Sequence, residues 1–287
     1  MRKKLSKHTV PYLPDVESPT MRNTVNTAVR LTVLAAAVLG ATFAHAAATV
    51  TPGQFKVGME ITYPPFESYD EKKNVVGSDP DLSRLLAKHM NLKAEFVDTK
   101  FSSLILSLNA GHYDAIISGM YITPERQTQA QTIAYAKTGA AIMVLKDSTI
   151  KPKVPEDLCG LKVGLEKGTT WVAQFNKLST DYCVPNNKGA ISVSEFPSAP
   201  EVTQALLSGN VQAQVEIDGA AGMIAERTKG RVVVSTEHSI YQQTLGIYVK
   251  KGNDELYQAL LKAFDETKKS GEYAALLKKY NLEEPGN

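Results

Sequence analysis

A strand-helix-strand-helix-strand order occurs twice along the chain, and a chain built this way can bury itself in few ways. In the first unit, residues 55–59 read as a strand, residues 79–90 set Leu82, Leu85, Leu86 and Met90 at helical spacing, and residues 94–97 read as strand again. Residues 101–110 predict a helix with Leu104, Ile105 and Leu108 inward and Gly111 at its end, followed by a strand at residues 115–117. In the second unit, residues 161–165, 190–196 and 213–217 read as strands, while residues 170–178 and 201–208 read as helices, the latter stopped by Gly209. The proline-punctuated linker Lys151-Pro152-Lys153-Val154-Pro155 separates the two units. The fold class expected is α/β with two lobes, each a central sheet flanked by helices. Two apolar extended stretches, residues 140–146 and 245–249, are suited to cross between the lobes as a hinge, with a ligand cleft between. Lobe 1 is then residues 47–140 plus 247–287, and lobe 2 residues 141–246. Residues 255–268 and 273–280 carry Leu256, Leu260 and Phe264, then Ala274 and Leu277, at core spacing and read as packing helices, not a cofactor box.

The start of the chain carries an export pattern. Arg22 and Arg30 form a basic region, residues 31–43 are mostly apolar, and Ala44-His45-Ala46 is a small-x-small cleavage site. The apolar run is short for a membrane span, which needs roughly 20 residues. Residues 21–46 are therefore expected to be a signal peptide cleaved near Ala46. Residues 1–20, polar and holding Pro11 and Pro14, read as an upstream extension, with Met21 the expected start. Cleavage would remove six basic and two acidic residues, turning 32 against 30 into 26 against 28, a net charge near −2. No basic stripe remains to suggest nucleic acid. Two cysteines, Cys159 and Cys183, suit a disulfide in an oxidising compartment. Five scattered histidines give no metal-ligand spacing, so neither metal nor cofactor is expected.

The stretch from Asp114 to Arg126 concentrates the chemistry. A β-branched strand end runs into Ser118-Gly119-Met120, Thr123 reads as an N-cap, and Pro124 takes the first helical position. Arg126 thus falls in a first helical turn, where the partial positive charge of the amides disfavours a cation unless an anion meets it. Arginine, amides and a flexible glycine together make an anion site; the alternative is that Arg126 pairs with Glu125 or Asp114 and pins the loop.

From Val57 to Leu282 the chain resembles the extracytoplasmic solute-binding proteins of the polar amino-acid family that serve ABC importers. The resemblance rests on Tyr63-Pro64-Pro65-Phe66-Glu67, Gly77-Ser78-Asp79-Pro80-Asp81-Leu82, Thr123-Pro124-Glu125-Arg126, Asp157-Leu158-Cys159-Gly160, Gly168-Thr169-Thr170 and Gly271-Glu272-Tyr273, in that order and spacing. It implies that Arg126 grips a ligand α-carboxylate bidentately, that Ser118 and Gly119 add hydroxyl and backbone contacts, and that Thr169 and Thr170 bring a helix N-terminus to the same carboxylate. Thr170 is alternatively only a cap. Tyr63 and Phe101 correspond to slabs flanking the ligand side chain. Glu60 corresponds to an acid facing a polar or cationic side-chain end, or is a solvated strand end. Trp171 follows at the expected cleft edge, either reporting closure or packing in lobe 2.

Two positions depart from the family pattern. Tyr121 stands where a small hydroxyl residue is usual, and so intrudes on the pocket or turns away. At the register of the ammonium-binding aspartate stands Ile217, between Glu216 and Asp218. Asp218 is the expected acceptor through a one-residue bulge before Gly219, with Glu216 in reserve. The resulting expectation is a monomeric periplasmic protein, without catalytic residues, that binds a polar or basic amino acid by hinge closure and delivers it to an ABC importer permease. The rivals are a periplasmic dehydratase on this scaffold, with Glu216 or Glu60 as general acid, and a ligand-sensing module.

Overall fold

The computed structural model of the protein describes residues 48–286. The expected extension, signal peptide and cleavage position lie outside these residues. The first part of the chain runs β1 (Gln54–Met59), β2 (Thr62–Tyr63), β3 (Glu67–Tyr69), β4 (Val75–Val76), α1 (Ser78–His89), β5 (Lys93–Asp98), α2 (Leu104–Asn109), β6 (Ala115–Ile116), α3 (Pro124–Gln129) and β7 (Ala130–Leu145). It continues with β8 (Lys162–Glu166), α4 (Thr170–Leu178), β9 (Ser192–Phe196), α5 (Ala199–Leu207), β10 (Ala213–Ile217), α6 (Asp218–Arg227), β11 (Val232–Val234), β12 (Ile240–Lys250), α7 (Asp254–Lys269) and α8 (Glu272–Tyr280).

The main sheet has the order β5-β1-β6-β12-β7-β10-β8-β9, with β11 also paired to β7. Its two ends are parallel: β1 lies between β5 and β6, and β8 between β9 and β10. Its middle is antiparallel, where β7 and β12 pair with each other and join the two parallel ends. Phe55, Val57 and Met59 on β1 are fully buried, as are Val163 and Leu165 on β8, each set lining one face of its strand at the period of two. Leu82 and Leu86 of α1, and Leu256 and Leu260 of α7, occupy the core positions that their spacing implies.

The repeated units emerge as expected, and three elements were not read from sequence. β7 begins at Ala130, well before the expected crossing stretch, because Gln131, Thr132, Lys137 and Thr138 break up its apolar pattern. At Ala140 this strand changes neighbours, pairing there with both Ile240 of β12 and Ile217 of β10. A small antiparallel sheet, β2-β3-β4, surrounds the Tyr63–Glu67 loop. Finally, α6 starts directly after β10, so the expected bulge before Gly219 does not form.

Cys159 and Cys183 are joined by a disulfide, with Cα atoms 5.4 Å apart across a separation of 24 residues. Closing a loop of that size restricts the unfolded chain by roughly 3 kcal/mol. Cys183→Ser should lower the urea-unfolding free energy by about that amount, and an unchanged midpoint would show that the bridge adds no stability.

Candidate functional site

The C-terminal ends of β1, β6, β8 and β10 converge on one cavity of about 410 Å³, its open mouth included. Ligand sites in parallel sheets form at such strand ends because the loops that follow are unconstrained by pairing. Glu60 reaches the cavity from the end of β1, Tyr63 from β2 and Phe101 from the segment after β5; Gly119, Tyr121 and Arg126 come from the segment after β6. Glu166, Thr169, Thr170 and Trp171 come from the β8–α4 connection, and Ile217 from the end of β10.

Arg126 ties these parts together. Thr123 caps α3 by accepting the Arg126 N–H at 3.1 Å, and Pro124 takes the first position, as the sequence implies. The guanidinium is buried, donates through Nη1 to the Tyr121 carbonyl at 2.7 Å and through Nη2 to the Gly168 carbonyl at 2.9 Å, and lies 5.5 Å above the Phe101 ring. Pinning by Asp114 is set aside, since that carboxylate accepts the N–H groups of Val50 and Lys56. Two carbonyl bonds leave further guanidinium N–H donors for an anion. Gly168 is held close: its φ is +87°, and a Cβ there would lie 3.0 Å from Ser102 Cα, so only glycine lets the β8–α4 turn approach Ser102 and Arg126 this nearly.

A second tie crosses the cavity. The Tyr63 hydroxyl donates to Glu216 Oε2 at 2.8 Å and accepts the Ile217 N–H at 3.1 Å. Tyr63 is therefore an anchor as well as a wall.

Eight of the ten ligand-site residues expected from sequence line the cavity, and two do not. Ser118 turns away, its hydroxyl donating to Glu67 at 2.7 Å and accepting the Glu60 N–H at 3.0 Å. Asp218, at the first position of α6, accepts from the Ser239 hydroxyl at 2.6 Å and lines a different hollow beside Gly139. The reserve acid Glu216 is also turned from the cavity, bound to Tyr63 and to Gln214 Nε2 at 2.7 Å. Gly119 lines the cavity, yet its N–H is taken by Asp79 at 2.6 Å, so the backbone contact expected of it is already used internally. Tyr121 does intrude: its ring is buried against the edge of Trp171 at 6.1 Å, and its hydroxyl donates to the Gly139 carbonyl at 3.2 Å. Thr169, not Thr170, occupies the N-cap of α4, and the buried Thr170 hydroxyl and Trp171 indole N–H have no hydrogen-bond partner among the described residues.

Glu166 is the residue that sequence reading missed. It and Glu60 are 6% and 3% exposed, and in each the Oε1 atom has no hydrogen-bond partner among the described residues. A signal was present: Val57-Gly58-Met59-Glu60 and Val163-Gly164-Leu165-Glu166 are near-repeats at corresponding strands, and they deliver two acids to one cavity.

Residues 55–283 match the family described as bacterial extracellular solute-binding proteins, family 3. The chain belongs to that family. It is 33% identical to the histidine-binding periplasmic protein of Escherichia coli (strain K12), over 85% of this chain and 93% of the relative. It is 32% identical to the ABC transporter arginine-binding protein 1 of the same strain, over 84% and 94%. The solved structure of an ancestral arginine-binding protein bound to arginine superposes with a TM-score of 0.73 at 35% identity, covering 79% of this chain and 98% of that one.

This family 3 solute-binding protein buries several acids around its cleft. Burial, then the neighbouring Glu60 carboxyl, pushes Glu166 up to about 11. Burial pushes Glu216 to about 7 and Asp79 to about 6, and lifts Glu67 well above the carboxylate range, with Asp79 the next cause. A carboxyl raised on folding adds stability that is complete below its unfolded pKa and is lost as pH rises through the folded value. Glu272 works the other way: its bonds from Lys88, His89 and Ser270 hold it near 2, so its contribution is lost as pH falls towards that value. The urea midpoint should therefore peak near pH 4 to 5 and decline towards pH 7. Glu216→Gln should flatten the part of that decline between about 4.5 and 7; an unchanged slope would contradict the assignment of Glu216.

Proposed function

We propose that the protein binds an amino-acid-type ligand in this cleft, with a polar or basic side chain preferred, and delivers it to the transmembrane permease of an ABC importer. One observation carries the reading: a cavity at four strand ends that offers anion donors and cation acceptors from two parts of one sheet. Arg126, the Thr170 hydroxyl and the Trp171 indole N–H are suited to a carboxylate, with the N-terminus of α4 beside them. Glu60 is suited to a cationic end. Tyr63, Phe101 and Tyr121 enclose the apolar body between.

Lobe 1 is residues 47–140 plus 247–287 and lobe 2 residues 141–246, closing about β7 near Ala140 and about β12. The change of strand partner at Ala140 supports this hinge, and Arg126–Gly168 and Tyr63–Glu216 are the contacts that closure makes. The protein works as a monomer in the periplasm after export, and the periplasmic names of its relatives support that compartment. Those relatives are binding proteins, and Glu216, one general acid weighed for the dehydratase reading, points out of the cavity.

The test is thermal unfolding against a panel of L-amino acids after removal of carried-over ligand by unfolding and refolding. Ligand at a hundred times its dissociation constant adds about 2.7 kcal/mol of stability. A shift confined to basic or polar amino acids supports the reading, and no shift across the panel rejects it. In calorimetric titration, Arg126→Ala should weaken binding by about 2 to 5 kcal/mol; undiminished affinity would remove Arg126 from the site.

A further inference from the structure

Glu60 and Glu166 close the first strands of the two repeated units, line the same cavity and are each more than nine-tenths buried. Their partners are unequal. Glu60 Oε2 accepts the Phe101 N–H at 2.8 Å, and Glu60 Oε1 lies 3.5 Å from the exposed Lys100 ammonium, outside hydrogen-bond geometry. Glu166 Oε1 has no partner among the described residues. The cavity's partnerless acceptors are thus two acid oxygens, and its partnerless side-chain donors are the adjacent Thr170 and Trp171. Where β10 ends, Ile217 presents hydrocarbon, with Glu216 and Asp218 both bound elsewhere. Among the described residues, these two acids are the cavity's partnerless acid acceptors, suited to a cationic side-chain end.

We infer that Glu166 is a specificity-determining residue: it keeps a proton while no cationic side chain is bound, and that proton is exchanged for the ammonium or guanidinium of a ligand's side chain. The inference rests on the reading that this cleft takes an amino-acid-type ligand, and it names which ligands the site prefers. Glu60 has the Lys100 ammonium 3.5 Å away, whereas no cation among the described residues pairs with the desolvated Glu166, so Glu166 holds its proton until a cation is bound. A bound cation supplies that charge, the proton leaves to solvent, and both acids become charge-assisted acceptors. A neutral side chain leaves the proton in place and finds Glu166 uncharged. The charges facing Glu166 are compatible with this exchange. Glu60, Glu216 and Glu67 all raise its proton affinity or are raised by it, while Lys100 opposes them and Arg126 lines the cavity from α3.

The experiment is isothermal titration with L-arginine and with L-citrulline, its neutral counterpart of nearly equal shape, in buffers of different ionisation enthalpy. The wild-type protein should bind arginine about 100-fold more tightly than citrulline and release close to one proton with arginine only. Arginine affinity should then rise with pH between 6 and 8 by up to about tenfold per unit, because a proton lost on binding is a proton that high pH helps remove. Glu166→Gln should abolish the proton release and bring the arginine-to-citrulline ratio below about tenfold. Equal binding of the two by the wild type, or arginine binding without proton release, overturns the inference and leaves the amino-acid reading standing. Arginine binding by Glu166→Gln with the wild-type ratio and proton count also overturns it. If neither ligand nor any other L-amino acid binds, both readings fall. Should the variant not fold, the wild-type ratio and proton count decide alone.

Discussion

A single buried guanidinium holds the cleft together. Arg126 sits at the start of a short helix, where the amide dipoles oppose a cation, and bonds to no carboxylate that its neighbourhood offers. It spends two donors on carbonyls from different parts of the sheet, Tyr121 and Gly168, and covers the Phe101 ring. The arrangement leaves net positive charge facing a small cavity, and an anionic ligand group relieves it. Other features follow from keeping that side chain in place. Gly168 must be glycine for the turn to come near enough, Tyr248 donates to the same Tyr121 carbonyl, and Tyr121 fills the wall beside it.

Opposite this positive charge the protein has gathered acids in numbers that folding alone does not favour. Glu60, Glu67, Asp79, Glu166 and Glu216 are all buried around the cleft. Hydrogen bonds satisfy most of them: Asp79 accepts from Gly119, Tyr135 and Ser78, and Glu216 from Tyr63 and Gln214. These pairs fix the segment at Gly119 and the Tyr63–Glu216 tie. Glu60, Glu67 and Glu166 each keep an oxygen without a partner among the described residues, and Glu60 and Glu166 differ in lining the cavity; a buried acceptor without a donor is costly unless a proton or a ligand meets it. Structure and proposed function meet in that residual demand, since the fold tolerates the acid pair and a cationic ligand resolves it.

Much of this was legible in sequence because it depends on local rules. The Thr123-Pro124 cap placed Arg126 correctly, strand and helix periods recovered both repeated units, and Tyr63, Phe101 and Thr170 came to the cavity through motifs with fixed spacing. The failures share one cause, a choice that only packing decides. After Ile217 the small residues Gly219, Ala220 and Ala221 suit a bulge or a helix start equally; α6 wins, and Asp218 swings to Ser239. Ser118 carries a hydroxyl that serves a ligand or the scaffold equally well, and the buried Glu67 claims it. Glu166 reads as an ordinary strand end, and only the packing of the two units brings it to the cavity that Glu60 lines.

The central claim is that closure around a cationic amino acid depends on Arg126. Trp171, the one tryptophan in the sequence, lies in the cavity wall against Tyr121 and reports that event directly. Its fluorescence should change saturably as L-arginine is added to the wild-type protein, and the same titration of Arg126→Ala should be flat at concentrations that saturate the wild type. A flat wild-type titration, or matching curves for the two proteins, would contradict the account.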